Sequence, residues 1–257
     1  MNDKQDQMLR FWSDRAATHG ADPRANTNDV HLRSLEISYV DQAIKDADPS
    51  SILDFGCANG FSTHRLASTH PNRSFLGIDL NRDMIQVASM GHDTRPPENL
   101  AFQCQDIEAE PIATSFDFIY CIRVLQNMPS MDAQKGAIDA LCEALHPGGT
   151  LVTIESYAEG YSILNQDREA LGLSPLPIHP HLTLLTPELD EHTGTMLNQV
   201  RQDSLSSSYY LITRLVYSSL ATQAGEAIDY DHPLHKLAAQ VPQVGTYGPQ
   251  LATIYRK

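Results

Sequence analysis

The chain has 257 residues, 41% of them hydrophobic, with 18 basic against 32 acidic side chains and a formal charge of −14. That suits one α/β domain with insertions and a substantial core, while the negative field makes a nucleic-acid backbone a poor partner. No run of about 18 apolar residues exists, which argues against a membrane-spanning helix. The polar start, Met1-Asn2-Asp3-Lys4, lacks the apolar core of a secretory signal, so a cytoplasmic location is expected.

Residues 4–19 read as a helix with Leu9, Phe11, Trp12 and Ala16 as its apolar positions, followed by a loop over 19–28 that can fold across a site. Asn28 or Asp29 can cap a second helix from Val30 to Asp46. Ile52, Leu53 and Phe55 then form a short apolar run suited to a buried strand. Gly56 and Gly60 punctuate a sharp turn, and Phe61 to Ser68 reads as the helix that follows. Strands are expected at Ser74–Leu80, Leu100–Asp106, Phe116–Ile122 and Thr150–Glu155, with helices at Asp83–Met90 and Ser130–Leu145 and a turn at Pro147-Gly148-Gly149. This alternation predicts a doubly wound, mostly parallel α/β sheet. After Ser156 it breaks. A helix over Tyr161–Leu171, a proline-rich stretch over Ser174–Pro187 and a helix opening at Thr186 form an insertion expected to line a substrate pocket. A strand at Val200–Leu205, a helix at Ser208–Leu220 and a last strand at Leu251–Arg256 complete the pattern. One domain over 1–257 is expected, divided into an N-terminal helical flap (1–48), a cofactor-binding core (49–156), the insertion (157–200) and the rest of the sheet (201–257).

The glycine turn carries the first chemical signal. Its spacing is Gly-x-x-x-Gly rather than the Gly-x-Gly-x-x-Gly of a dinucleotide site, and Asp54 precedes it by two residues. A carboxylate at the mouth of the turn would repel a pyrophosphate and accept an ammonium group, which points to S-adenosylmethionine and away from NAD. Asp79 lies 23 residues after Gly56, near the roughly 20 expected of an acid that binds ribose hydroxyls. Asp106 ends the next strand, where it can accept from an adenine amino group while Ile107 covers the ring. The four cysteines, 57, 104, 121 and 142, form no C-x-x-C pair, so reduced, packed thiols and no metal site are expected.

Ile-Leu-Asp-Phe-Gly-Cys-Ala-Asn-Gly, Gly-Ile-Asp-Leu, Cys-Gln-Asp-Ile, Phe-Asp-Phe-Ile-Tyr-Cys and Leu-His-Pro-Gly-Gly-Thr-Leu occur in that order over roughly residues 50–156. The series resembles the class I S-adenosylmethionine-dependent methyltransferases. The resemblance implies a Rossmann-like sheet of seven strands with the last antiparallel. It also implies a cofactor site in which Asp54, Gly56, Cys57 and Gly60 line the methionine part, Asp79 holds the ribose, Leu80 lies against the adenine, and Asp106 and Ile107 frame the base. Cys121 would lie under the cofactor with Arg123 and Gln126 nearby, and Arg33 could pair with the methionine carboxylate. Ala58 stands where the family often has glycine. The ends of the chain, Phe-Trp-Ser-Asp-Arg-Ala-Ala-Thr-His-Gly and Ser-Ser-Ser-Tyr-Tyr with Gly-Thr-Tyr-Gly-Pro-Gln, resemble bacterial members of glycan or natural-product pathways.

Because the sulfonium is already activated, in-line positioning is expected to supply much of the rate, with a general base as an aid. Of the eleven histidines, His181 in the proline-rich insertion is the candidate base. His179, Tyr157, Tyr209 and Tyr210 are candidates for the acceptor pocket, with Trp12 and His19 on a flap that closes over it. The expected reaction is O-methylation of a small metabolite, natural product or sugar-containing compound. The alternatives are N- or C-methylation, or a non-catalytic S-adenosylmethionine-binding module. An Asn-Pro-Pro-Tyr type motif, which would suggest a nucleobase or glutamine amide nitrogen, is absent at Arg123-Val124-Leu125-Gln126. A homodimer is left open.

Overall fold

In the computed structural model, residues 3–91 and 97–257 are described; Met1 and Asn2 of the polar start lie outside them. Seven strands, β1 (Ser51–Phe55), β2 (Ser74–Asp79), β3 (Leu100–Cys104), β4 (Phe116–Ile122), β5 (Leu145–Ser156), β6 (Asn198–Asp203) and β7 (Gln250–Arg256), form one sheet in the order β3-β2-β1-β4-β5-β7-β6. β1 to β5 are parallel, and β7 runs antiparallel to both β5 and β6, as the resemblance implies. Strand alternation sends successive side chains to opposite faces. Leu53, Phe55, Ile119 and Leu151 meet Ala137, Leu141 and Leu189 on one face. Ile52, Phe118, Tyr120 and Val152 meet Val40, Ile44 and Leu66 on the other.

The helices start where the sequence offers caps. Asp29 Oδ1 accepts from the Leu32 amide at the start of α2 (Val30–Ala47), Asn81 from Met84 at α4 (Arg82–Met90), and Ser130 from Ala133 at α5 (Met131–Glu143). α1 (Asp3–His19) lies against α4, where the Asn81 amide donates to the Leu9 carbonyl at 3.1 Å and to Ser13 Oγ at 3.0 Å. At its other end Lys4 Nζ reaches Thr183 Oγ1 at 2.6 Å, so α1 bridges the sheet edge and the proline-rich stretch.

Several elements differ from expectation, among them β6, which spans Asn198–Asp203 where Val200–Leu205 was expected. β5 begins at Leu145, because Pro147–Gly149 is a bulge inside the strand: Phe116 pairs with Leu145 but Phe118 with Thr150. β3 stops at Cys104, since the Asp106 carboxylate takes the Glu108 amide and opens a turn. The helix expected over 208–220 is α8 (Ser207–Tyr210), a π-helical turn (Leu211–Tyr217) and α9 (Ser218–Ala224). A further helix, α10 (Pro233–Ala238), has a proline first turn that the sequence reading passed over. α6 (Ala158–Ala170) and α7 (Pro187–Gly194) occupy the insertion.

Two buried carboxylates tie fold stability to pH. Glu155, at the end of β5, accepts from the Val124, Leu125 and Gln126 amides, and Asp54 in β1 accepts from Thr63 and Tyr120. Burial outweighs these donors and pushes Glu155 up to about 7 and Asp54 up to about 6. A raised carboxyl favours the protonated fold, so this stability is present below the unfolded value of about 4 and is lost as pH rises through 6 and 7. His181, held below its usual value by burial, acts in the opposite sense, but only below about pH 6.5. Between pH 6.5 and 8 this amounts to about 1 kcal/mol, so the melting midpoint is expected to fall by about 2–4 °C, and Glu155→Gln should flatten that slope. A midpoint that is level or rising over this interval would contradict the account.

Candidate active site

The carboxyl ends of β1, β2, β4 and β5 open onto one cavity of about 420 Å³, roofed by α1 and the proline-rich stretch. Such a crevice is where open α/β sheets bind ligands. Its floor is the turn after β1. The Gly56 and Cys57 amides both donate to the Ile78 carbonyl, at 2.8 and 3.0 Å, which closes the turn against β2. Gly56 has a φ of +75°, and a Cβ there would lie 2.4 Å from Val124 Cγ2, so only glycine fits. Ala58 also takes the left-handed conformation, at φ +48°, which strains a residue carrying a Cβ. Its amide donates to Asp79 Oδ2 at 2.8 Å, while Asp79 Oδ1 takes the Asn81 amide. One carboxylate thus holds the turn after β1 and the start of α4, and burial raises its pKa.

After β4 the chain makes a second strained turn. Arg123 has a φ of +58°, its amide donates to the Ile154 carbonyl at 2.7 Å, and its Nε lies 3.1 Å from Glu36. Glu36, fully buried on α2, also takes Arg33 Nε at 3.3 Å and the Gln250 amide. The Arg33 contact is an ion pair without hydrogen-bond alignment, which leaves its Nε a buried donor without a hydrogen-bond partner. Burial holds Arg33 down to about 10.

Of the sequence candidates, the cavity wall brings together Trp12, Arg33, Gly56, Asp79, Leu80, Asp106, Ile107, Arg123, Gln126, His179, His181 and Tyr210. His181 is buried in a ring stack, 4.7 Å from Phe11 and 5.5 Å from His179. Burial first, then the His179 and Lys4 charges, lowers its pKa, which keeps it neutral near pH 7.

Seven candidates lie elsewhere, each for a packing reason. Asp54 does not stand at the mouth of the turn: strand alternation points it at α3 (Phe61–Thr69), where Thr63 Oγ1 donates at 2.6 Å and Tyr120 at 2.8 Å. Cys57 is buried with its Cβ against Gly77, and Gly60 is the cap of α3, close to Phe102 and Ala88. Cys121 points into the core onto Glu155, at 3.8 Å. Tyr157 turns toward α7 and donates to Asp190 at 2.7 Å, and Tyr209 donates to Asp29 below the wall. His19, in the last turn of α1, falls beyond the cavity.

Sequence reading missed Arg15, Tyr161, Arg214 and Tyr230, all on the wall. Arg15 sits inside the Phe-Trp-Ser-Asp-Arg stretch, a signal that was available. Arg214 comes from the π-helical turn, which no residue pattern announces. Its guanidinium faces the Tyr209, Tyr210 and Tyr230 rings at 5.8, 5.4 and 5.1 Å.

A parallel sheet with an antiparallel last strand, a glycine turn after β1 and acids after β2 and β3 define a class I methyltransferase architecture. The family model described as "Methyltransferase domain" matches residues 47–196, more than half of the chain, and the chain belongs to that family. The "Ubiquinone biosynthesis O-methyltransferase" of Hydrogenovibrio crunogenus is 26% identical over 189 residues, 72% of this chain and 73% of that protein. The protein of the same name from Dechloromonas aromatica is 25% identical over 199 residues, 75% of this chain and 83% of its own length. Among solved structures, the N-methyltransferase NodS from Bradyrhizobium japonicum WM9, in complex with S-adenosyl-L-homocysteine, aligns over 100% of this chain and 99% of that chain. Its TM-score is 0.58 at 17% identity, a likeness of fold.

The chain is thus an S-adenosylmethionine-dependent methyltransferase. Its residues fit that cofactor: Gly56 allows close approach of the backbone, the Asp79 carboxylate stands at the end of β2, and Arg33 keeps a buried donor for an anion. Among the described residues no helix is long and apolar enough to cross a membrane.

Proposed function

We propose that this methyltransferase acts on an oxygen of a small metabolite, natural product or sugar-containing compound, with His181 as general base. The observation that carries the reading is the neutral, buried His181 imidazole in the wall of the cavity that also holds Gly56, Asp79 and Arg33. S-adenosylmethionine supplies an electrophilic methyl group and a neutral leaving group. Asp79 would bind the ribose hydroxyls, Asp106 and Ile107 would frame the adenine, and Arg33 would pair with the methionine carboxylate. An imidazole nitrogen of His181 would take the acceptor hydroxyl proton as the new C–O bond forms. The relatives named as O-methyltransferases agree with oxygen, whereas NodS is named as an N-methyltransferase. α1 would act as the flap that excludes water: Lys4 ties it to Thr183, and Phe11 packs on His181.

The test combines calorimetric titration with S-adenosylmethionine and an acceptor screen of hydroxylated, carboxylated and amino compounds, on wild type and His181→Gln. Loss of a general base lowers turnover by roughly 10²–10⁴, and cofactor affinity should stay within about threefold, below 1 kcal/mol. Turnover unchanged by His181→Gln, or product methylated only on nitrogen, would remove the reading.

A further inference from the structure

Four arginines, Arg15, Arg33, Arg123 and Arg214, line one cavity of a chain whose formal charge is −14. Their partners do not balance. Arg214 is neutralised by Asp29. Arg33 and Arg123 share the single carboxylate of Glu36, at 3.3 and 3.1 Å. Arg15 meets no carboxylate among the described residues: its guanidinium donates to the Ala25 carbonyl at 2.8 Å, to the Arg24 carbonyl and to Asn28 Oδ1 at 2.9 Å. Asp54 lies behind Arg33 without reaching the cavity, its Oδ2 taken by both Thr63 and Tyr120. Even with Asp54 counted, one guanidinium is left without an opposite charge.

The remaining wall carboxylates are engaged elsewhere among the described residues: Asp79 holds the Ala58 and Asn81 amides and Asp106 the Glu108 amide, and no carboxylate shifts Arg15. Asp79 ends β2, and Asp106 and Glu108 follow β3, at one edge of the sheet order, whereas Arg123 follows β4 on the far side of β1. The cavity is acidic at one end and cationic at the other. The cationic end is also aromatic: Tyr161 and Tyr210 both feel the charges of Arg123 and Arg214, and Arg15 feels that of Arg123. S-adenosylmethionine does not cancel the excess, because its sulfonium and ammonium outnumber its one carboxylate. A neutral acceptor would leave half-buried Arg15 without any carboxylate, and Arg123 with only the Glu36 carboxylate that Arg33 also uses, beside a cationic cofactor, which low-dielectric surroundings penalise.

We propose that the methyl acceptor is an anion, a small molecule bearing a carboxylate or phosphate oxyanion that Arg123 and Arg15 grip while Tyr161 and Tyr210 flank its body. Nε and Nη2 of both side chains face protein acceptors, so the oxyanion would meet chiefly the Nη1 of each, and two such charge-assisted contacts would orient the acceptor relative to His181. The oxyanion also supplies the missing counter-charge, so the acceptor and the cofactor sulfonium favour each other's binding. This inference rests on the methyl-transfer reading of the same cavity and adds the charge class of the substrate.

The chain has a single tryptophan, Trp12, and it stands on the cavity wall, which provides a binding signal independent of turnover. Protein saturated with S-adenosylhomocysteine is titrated with benzoate, phenyl phosphate and the neutral benzamide at fixed ionic strength. Benzoate or phenyl phosphate should bind roughly tenfold or more tighter than benzamide, as one charge-assisted pair predicts. In Arg15→Gln that preference should shrink to under about threefold, with S-adenosylhomocysteine affinity changed by less than that. Arg123→Gln provides the same comparison should Arg15→Gln fail to fold. Equal binding of benzoate and benzamide, or a preference untouched in the folded variants, overturns the proposal. A wild type that gives no response to S-adenosylhomocysteine would instead bring down the cofactor site beneath it.

Discussion

Asp79→Ala is expected to weaken S-adenosylmethionine binding by roughly 100-fold or more, since the hydrogen bonds of a charged group contribute about 1.5–3 kcal/mol each. Two losses add. The carboxylate proposed to take the ribose hydroxyls disappears, and the Ala58 amide loses the acceptor that holds its strained conformation at 2.8 Å. Because Asp79 also receives the Asn81 amide, and Asn81 in turn anchors α1 through Leu9 and Ser13, the flap should loosen as well. Asp79→Asn separates the parts. An asparagine oxygen can still accept one amide, so the turn should largely survive, and the residual loss, about tenfold, measures the charge. Calorimetric titration on variants that show a single cooperative melt decides the matter. Affinity within threefold of wild type in Asp79→Ala would take Asp79 out of the cofactor site.

Which parts of this site can be seen in the chain alone follows from how local their causes are. β1, β2 and β4 are short, largely apolar runs, so Gly56, Asp79 and Arg123 are legible as positions at or just past a strand end, and strand ends on a parallel sheet share a crevice. Asp54 shows the limit. Its place on β1 is local, but the side it faces depends on Thr63 and Tyr120, partners 9 and 66 residues away, and the carboxylate expected at the mouth of the turn is a core residue. Cys121 and Tyr157 face away from the cavity wall for the same reason, their side chains drawn to Glu155 and Asp190 on other elements. Arg214 was invisible because a π-helical turn within a helix reads as more helix, and the tyrosines around it converge from separate segments. The cationic end of the cavity is a tertiary property: no basic cluster exists in sequence, yet α1, α2, the end of β4 and the π-helical turn each deliver one arginine.

Asp29→Ala should cost about 3–5 kcal/mol of stability, the range for leaving a buried charge without its partner, and lower the melting midpoint by about 8–15 °C. Asp29 does three things at once: it caps α2 through the Leu32 amide, takes the Tyr209 hydroxyl, and pairs with Arg214. Despite burial, His235 beside it and then Arg214 and Tyr209 hold its carboxyl well below the usual range. A depressed carboxyl contributes stability above its unfolded value of about 4 and loses it as pH falls further, so this pair adds acid sensitivity outside the window set by Glu155 and Asp54. Removing both charges should recover much of the loss. In Asp29→Asn with Arg214→Met, the asparagine can still cap α2, and the methionine fills the space among Tyr209, Tyr210 and Tyr230 without a charge to solvate. A single variant that melts within 2 °C of wild type, or a double variant no more stable than Asp29→Ala, would refute the account. A double variant that folds and binds cofactor but turns over poorly would show that Arg214 serves the acceptor end of the cavity. Asp29 would then be the residue that keeps a cation there at a cost in stability that hydrophobic packing could avoid.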